Sequence, residues 1–237
     1  MKKIFLHEAV QVVLSDKTGG VSEGAYKSLN LGLHVGDKPL SVEKNREIFA
    51  SYFGVSANEL CFMEQVHGSF ASVAKKGETL KADALITREK NLVLCVMVAD
   101  CAPVILYDND KKAVAAVHAG RKGIFSGIIA NTVSAMQREF GSEPKNMRSY
   151  IGVSIRSCCY EIRGEVLSEA AERFAYAVES RNGRHFLSLH TILKKQLYKS
   201  GVKDIIDDKI CACCDENYFS YRREGACGRF GAGVKIL

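Results

Sequence analysis

Tryptophan is absent and proline occurs only three times in 237 residues, at Pro39, Pro103 and Pro144, so no proline-rich linker divides the chain. No segment approaches the roughly 20 consecutive apolar residues of a membrane helix. The opening MKKIFLHEAVQVV sets two lysines before apolar residues, but His7 and Glu8 interrupt it before a signal-peptide core of about 7–15 residues can form. Internal repeats and low-complexity tracts are missing. So are GxxxxGK[ST], a GxGxxG turn between strand and helix, and GxSxG, which removes the sequence basis for several common enzyme classes, P-loop nucleotide hydrolysis among them. Charge is also modest: 33 basic against 27 acidic side chains give +6, spread along the chain without a polybasic tail. That excess is too mild for nucleic-acid binding and suits a small anion such as phosphate.

Cysteine is plentiful by contrast. Nine cysteines, an odd number, without a secretion signal indicate a reducing, cytoplasmic setting, where they serve as thiols or ligands instead of a disulfide framework. With 47% apolar residues the chain can bury one substantial core, and residues 1–237 read as a single domain. A strand is expected over 9–14, followed by the polar, Gly-rich loop TGGVSEGAYKSLNLGLHVGD over 18–37, a lid or binding wall. Ser41 is placed to cap a helix over 42–53, and Ser56 with Glu59 fits a capping box. Short Val/Ile-rich runs predict strands over 92–99, 103–107 and 113–118, with another at 147–155. Helical spacing recurs over 124–140, 165–179 and 187–200, while 211–237 is poor in helix signals. Without a clean βαβ alternation, the fold class is α+β with mixed sheets.

Three strand ends carry soft metal ligands: Gln65-Val66-His67-Gly68, Ala99-Asp100-Cys101-Ala102 and Val117-His118-Ala119-Gly120. Two imidazoles and a thiolate are a known ligand set for catalytic zinc with its fourth position open. Each residue alone could equally be packed at a strand end with its polar atom bonded to backbone. A metal-free pair, Cys101 as nucleophile and His118 as base, is the catalytic alternative. Asp100 beside Cys101 suits a proton shuttle, or else a turn. Arg222, Arg223 and Arg229 in SYRREGACGR could clamp an oxyanion or form a solvated basic loop. Cys158-Cys159, Cys211, Cys213, Cys214 and Cys227 also invite a metal reading, a second structural zinc, but they lack the two regular paired spacings of zinc ribbons, and packed, reduced thiols are the preferred reading.

Taken in order, TGGVSEGAYKSLNLGLHVGD, VEKNRE, QVHG, ADALIT, VADCAPVIL, VHAG, IGVSIRSCCYEI and YFSYRREGACGR resemble the multicopper polyphenol oxidase, or laccase-domain, family. Its members are now regarded as purine nucleoside phosphorylases with adenosine deaminase side activity. The resemblance implies that His67, Cys101 and His118 bind Zn²⁺, with Cu²⁺ as the alternative ion. It implies mixed sheets packed face to face with helices outside, a layered sandwich like that of cytotoxic necrotizing factor. The implied substrates are adenosine, inosine, guanosine and methylthioadenosine with phosphate; the sequence leaves monomer and homodimer both open. On this reading Asp100, Cys101 and His118 are catalytic, Arg46, Lys122, Arg222 and Arg223 are the cations for phosphate, and Asn30 and Gln65 face the substrate.

Three positions depart from the family's usual pattern. Arg121 stands for a tryptophan after His-Ala-Gly, Arg156 falls where Ile-Gly-Pro is usual, and Cys211-Ala212 replaces Cys-Thr. The first two are expected to bring charge to the site, and a non-catalytic binding module on the same fold is the reading they would favour. Phenol oxidation by several coppers needs many histidines, whereas His7, His34, His185 and His190 are the only ones outside the triad.

Overall fold

A computed structural model describes residues 1–237. Two six-stranded mixed sheets form its centre. The first runs, in spatial order, β1 (Lys2–His7), β2 (Val10–Leu14), β15 (Phe230–Ile236), β7 (Val93–Val98), β3 (Leu60–Glu64) and β5 (Leu80–Lys81). The second runs β14 (Asp204–Asp207), β10 (Met147–Ile151), β8 (Ala102–Asp108), β9 (Ala113–Ala119), β6 (Ala84–Thr87) and β4 (Ala71–Val73). A small third sheet joins β11 (Glu161–Ile162), β13 (Arg184–Leu187) and β12 (Val178–Arg181). Neighbours are antiparallel except β3 with β7 and β5, β10 with β14, and β4 with β6.

Side-chain alternation sorts the core into layers. Along β7, Leu94, Val96 and Val98 face the other large sheet, while Val93, Cys95 and Met97 face outward under Phe49 and Phe53. Phe49 belongs to α1 (Pro39–Ser51). Along β8, Ile105 and Tyr107 join the space between the sheets, and Ala102, Val104 and Leu106 point to the opposite face. That outer face is covered by α2 (Arg121–Phe125), α3 (Ile128–Phe140), α4 (Gly164–Phe174) and α5 (Leu189–Lys199). The result is helix, sheet, sheet, helices: the α+β sandwich expected, with each strand of the β8–β9 hairpin buried on both faces.

Local differences have local causes. Pro39 occupies the first turn of α1, where its fixed φ and missing N–H are tolerated, so the helix begins before Ser41 and Lys38 is its cap. The single helix expected over 124–140 is two, because Gly127 adopts φ 82° and breaks the run between α2 and α3. The helix over 165–179 ends at Phe174, and Val178 already starts β12. The box at Ser56 and Glu59 forms. At the C-terminus, β15 lies in the middle of the first sheet, and only the single turn α6 (Tyr221–Glu224) is helical after Cys211.

Candidate metal centre and cleft

The β8–β9 hairpin pairs Ala102 with Ala119 and Pro103 with His118, so its register brings Cys101 and His118 to the same end. On the other side of β9, β6 pairs Ala84 with Val117, which sets Asp83 beside His118. The His118 amide donates to the Asp83 carbonyl at 2.7 Å. Its ring Nδ1 lies 2.8 Å from Asp83 Oδ1, which directs Nε2 the other way. The same carboxylate accepts the amides of His67 (3.0 Å) and Gly68 (2.6 Å), folding the chain after β3 back over the hairpin end. His67 adopts φ 60°, a left-handed conformation fixed by these bonds.

The ligand atoms of His67, Cys101 and His118 lie within 4.8 Å of one another, with His67 exposed, Cys101 half-buried and His118 buried. The two imidazole rings meet edge to face at 4.7 Å. Burial raises the Cys101 thiol, but His118 and His67 outweigh it through charge and hydrogen bonding and hold it at about 6. Burial likewise lowers His118, while the Cys101 thiolate and Asp83 bring it up to about 9. A donor set of one stabilised thiolate and two imidazoles, open on the His67 side, fits a divalent ion such as zinc with a free coordination position. Gly120 keeps this space clear: a Cβ there would come 3.0 Å from His67 Cδ2 and 3.1 Å from Cys101 Sγ.

The triad lies in a cleft of about 440 Å³ whose other walls include His34, Asp100, Tyr160, Tyr221, Arg222 and Arg229. Asp100 has φ 87° and is held by its carboxylate, which accepts the Ser220 hydroxyl at 2.7 Å and the Arg222 amide at 2.6 Å. Burial raises its carboxyl above the usual carboxylate range despite those bonds. His34 is lowered by burial and by the neighbouring charges of Arg229 and Arg46.

Several residues expected at the substrate lie elsewhere or are already engaged. Arg46 donates twice to the Leu31 carbonyl, at 3.0 and 2.9 Å, and stacks 4.0 Å over Phe62, outside the cleft lining. The Arg223 guanidinium binds the carbonyls of Ala212, Cys213, Asp215 and Tyr218, and Lys122 is exposed in the first turn of α2 and outside the cleft lining. Asn30 is fully buried and ties Gly32, Asp37 and the Arg229 amide together. Gln65 does line the cleft, but its amide pairs with both backbone groups of Met97 at 2.8 and 2.9 Å, extending the β3–β7 ladder. Of the two substituted arginines, Arg121 does bring charge to the cleft wall, where it opposes the effect of burial on the Tyr160 phenol, whereas Arg156 is outside the cleft lining. Arg121 reaches toward Glu169 at 3.8 Å, and Arg156 turns to His190, Asp207 and the Asp208 carbonyl. His34, Asp83, Tyr160 and Tyr221 escape sequence reading; ADALIT gave the only signal for Asp83, a carboxylate opening an otherwise apolar strand.

Fold and site together define a class: a double-sheet sandwich with an open His₂Cys centre at the end of its central hairpin. The chain belongs to the multi-copper polyphenol oxidoreductase laccase family, whose model matches residues 11–237. It is 38% identical over 234 residues to a purine nucleoside phosphorylase of Corynebacterium glutamicum, covering 96% of this chain and 94% of that one. A purine nucleoside phosphorylase of Streptomyces coelicolor is also 38% identical, with 93% of each chain covered. Among solved structures, a Neisseria meningitidis protein superposes with TM-score 0.88 at 32% identity, covering 97% of this chain and 95% of its own. The Bacillus licheniformis protein YfiH gives 0.91 at 30% identity, with 96% and 93% covered.

Proposed function

We propose that this protein is a zinc-dependent purine nucleoside phosphorylase, acting on adenosine, inosine, guanosine and methylthioadenosine, with hydrolytic deamination of adenosine as a side activity. The observation that carries this reading is the convergence of His67, Cys101 and His118 beside Asp100 in one cleft. The names of its relatives support it. His67, Cys101 and His118 would hold the ion, which when bound supplies Lewis acidity and an open coordination position.

In phosphorolysis the C1′–N9 bond breaks, a bond from C1′ to a phosphate oxygen forms, and the departing purine gains a proton. Asp100 suits the proton's management because its buried carboxyl is raised and its two oxygens are oriented by Ser220 and the Arg222 amide. Arg222 and Arg229 line the cleft and bring it positive charge that favours phosphate, while their guanidinium groups also donate to the carbonyls of Cys159 and Glu161 and of Cys227 and Gly228; Arg46, Lys122 and Arg223 are outside that lining. Tyr160 and Tyr221 offer rings against which a purine can lie, compensating for the missing tryptophan. In deamination water replaces the 6-amino group and ammonia leaves, again with Asp100 handling the proton.

Chromatography of adenosine incubations tests the reading. Adenine is expected only with phosphate present, and its formation should be lost in His67→Ala and Cys101→Ala; inosine in both buffers would mark deamination. A second reading is favoured by the Asp83–His118–Cys101 alignment, which also describes a metal-free cysteine hydrolase. Turnover that survives metal removal but not alkylation of Cys101 would select it. Failure of a folded, zinc-loaded protein to release adenine or inosine would overturn the nucleoside reading. Nine free cysteines suit a cytoplasmic enzyme, and no helix is long and apolar enough to cross a membrane.

A further inference from the structure

Four of the nine cysteines gather in a second group, separate from the His₂Cys ligand set. Cys158 and Cys159 lie in the turn before β11, and Cys211 and Cys214 in the turn that follows a parallel bridge between Ser154 and Cys211. Their four sulfurs all lie within 4.8 Å of one another. Cys213 and Cys227 stay outside the cluster. The pairing was hidden in the sequence because Cys211 and Cys214 form a C-x-x-C unit with a third cysteine inside it, and its partner is an adjacent pair instead of a second C-x-x-C.

Packing does not account for this cluster. Cys61, Cys95 and Cys227 are buried singly, as inert thiols are, whereas Cys158 and Cys214 are exposed. The separations from Cys214 are 3.6 Å to Cys158 and 3.2 Å to Cys159, well beyond the roughly 2.05 Å of a disulfide. Four thiolates around one zinc at about 2.3 Å would be about 3.8 Å apart, slightly beyond the two separations from Cys214 and within the 4.8 Å that bounds the whole set. An iron–sulfur cluster places its cysteines around a cage of several atoms and asks for wider spacing.

The surroundings are those of a metal thiolate. The Arg156 amide points at Cys211 Sγ, 3.4 Å away. Three guanidinium groups bind carbonyls of the same two turns: Arg181 at Ser157, Arg222 at Cys159 and Arg223 at Ala212 and Cys213. A tetrathiolate around a divalent ion carries two net negative charges, and this ring of cations opposes them.

We propose that Cys158, Cys159, Cys211 and Cys214 form a second metal site, a structural Zn²⁺ tetrathiolate that staples the 211–229 segment to the 154–162 segment. Binding releases four thiol protons to solvent and forms four Zn–S bonds with no change of oxidation state. The staple reaches the cleft through Arg222, which bonds the Cys159 carbonyl with its side chain and Asp100 with its amide. The site stands independently of the nucleoside reading, since neither its geometry nor its test uses turnover.

The experiment measures metal per chain in the full-length protein purified under reducing conditions, in a His67→Ala/His118→Ala background that removes the first site. One zinc per chain is expected to remain. Cobalt exchanged into it should show the intense sulfur-to-metal absorption of four thiolates. Adding Cys158→Ser and Cys214→Ser, both at exposed positions, should abolish this binding while circular dichroism stays native-like; Cys213→Ser should keep it. Zero metal in the folded His67→Ala/His118→Ala protein overturns the site, as does retention after the Cys158→Ser/Cys214→Ser change or a Cys159–Cys214 disulfide in its place. If the serine variants do not fold, thiol counting decides. In the His67→Ala/His118→Ala background four fewer cysteines should react than after metal removal, and an equal count overturns the proposal.

Discussion

Asp83 serves three groups at once. One carboxylate orients the His118 ring and accepts the amides that bend His67 over it, so the geometry of both histidines depends on a residue outside the cleft lining. Gly120 makes the complementary contribution by leaving room. Its φ of −76° and ψ of 161° suit any residue, so replacement acts through sterics alone. In Gly120→Ala the new methyl would sit 3.0–3.1 Å from His67 and Cys101. Misplacement of reacting groups by even about 1 Å can cost about 100-fold; under the proposed zinc-dependent activity, a smaller shift of a few tenths predicts roughly tenfold weaker zinc binding and at least tenfold lower kcat/KM, with melting temperature nearly unchanged. Competition with a chromophoric chelator alongside adenosine kinetics checks this, and a variant with wild-type affinity would show that the ligands do not close over Gly120. Cys101 and His118 were legible as chemistry because each ends an apolar run. Asp83 was not, since its role arises from β6 lying next to β9. The arginines were legible as charge but not as direction: Arg46 and Arg223 satisfy carbonyls that would otherwise lack partners.

At the level of elements, the C-terminal strand shows why local pattern fell short. β15 reads FGAGVKI, and its two glycines gave no strand signal, yet it pairs with both β2 and β7 at the middle of the first sheet. The glycines are there because α1 and the loop before it pack directly on this strand. A Cβ on Gly231 would meet Leu31 at 2.8 Å, and one on Gly233 would meet the Phe53 ring at 2.7 Å. Overpacking of this kind costs about 1–3 kcal/mol. Gly233→Ala should therefore lower stability by that amount in urea denaturation, and Phe53→Leu in the same chain should recover part of it by making room. Additive losses in the double variant would mean that the ring is not what limits the position. The β7, β8 and β9 strands, by contrast, were readable to within two residues, because strands buried on both faces must be continuous Val, Ile, Leu and Ala runs.

Across the whole molecule, the sandwich is closed by pairings between distant parts of the chain. β2 lies beside β15, and β10 beside β14, so neither sheet's order follows from the run of elements. The α+β class was legible from the mixture of periods; the strand order was not, because register between segments far apart in the chain leaves no local trace. One buried polar network spans such distant segments. His190 of α5 contacts Ser154 through Nε2 at 2.6 Å and Asp207 of β14 through Nδ1 at 2.5 Å, and Arg156 joins both. Burial would raise the Asp207 carboxyl, but His190, Lys209 and Lys194 hold it well below the usual carboxylate range. Burial lowers His190 below its ordinary value in spite of Asp207. A depressed carboxylate contributes stability that is present above its unfolded pKa of about 3.9 and is lost as acid protonates it. A depressed histidine acts in the same sense, losing stability as pH falls below about 6.5. The fold should thus weaken steadily from neutral pH toward pH 3. Removing one member of a buried pair costs about 3 kcal/mol, so Asp207→Asn should lose roughly that much at pH 7 and show a shallower decline between pH 5 and 3. Urea midpoints at pH 7, 5, 4 and 3 measure both quantities. An Asp207→Asn variant as acid-sensitive as the wild type would move the origin of that sensitivity to other carboxylates, Asp83 first among them because it too is held low by His118 and the amides it accepts.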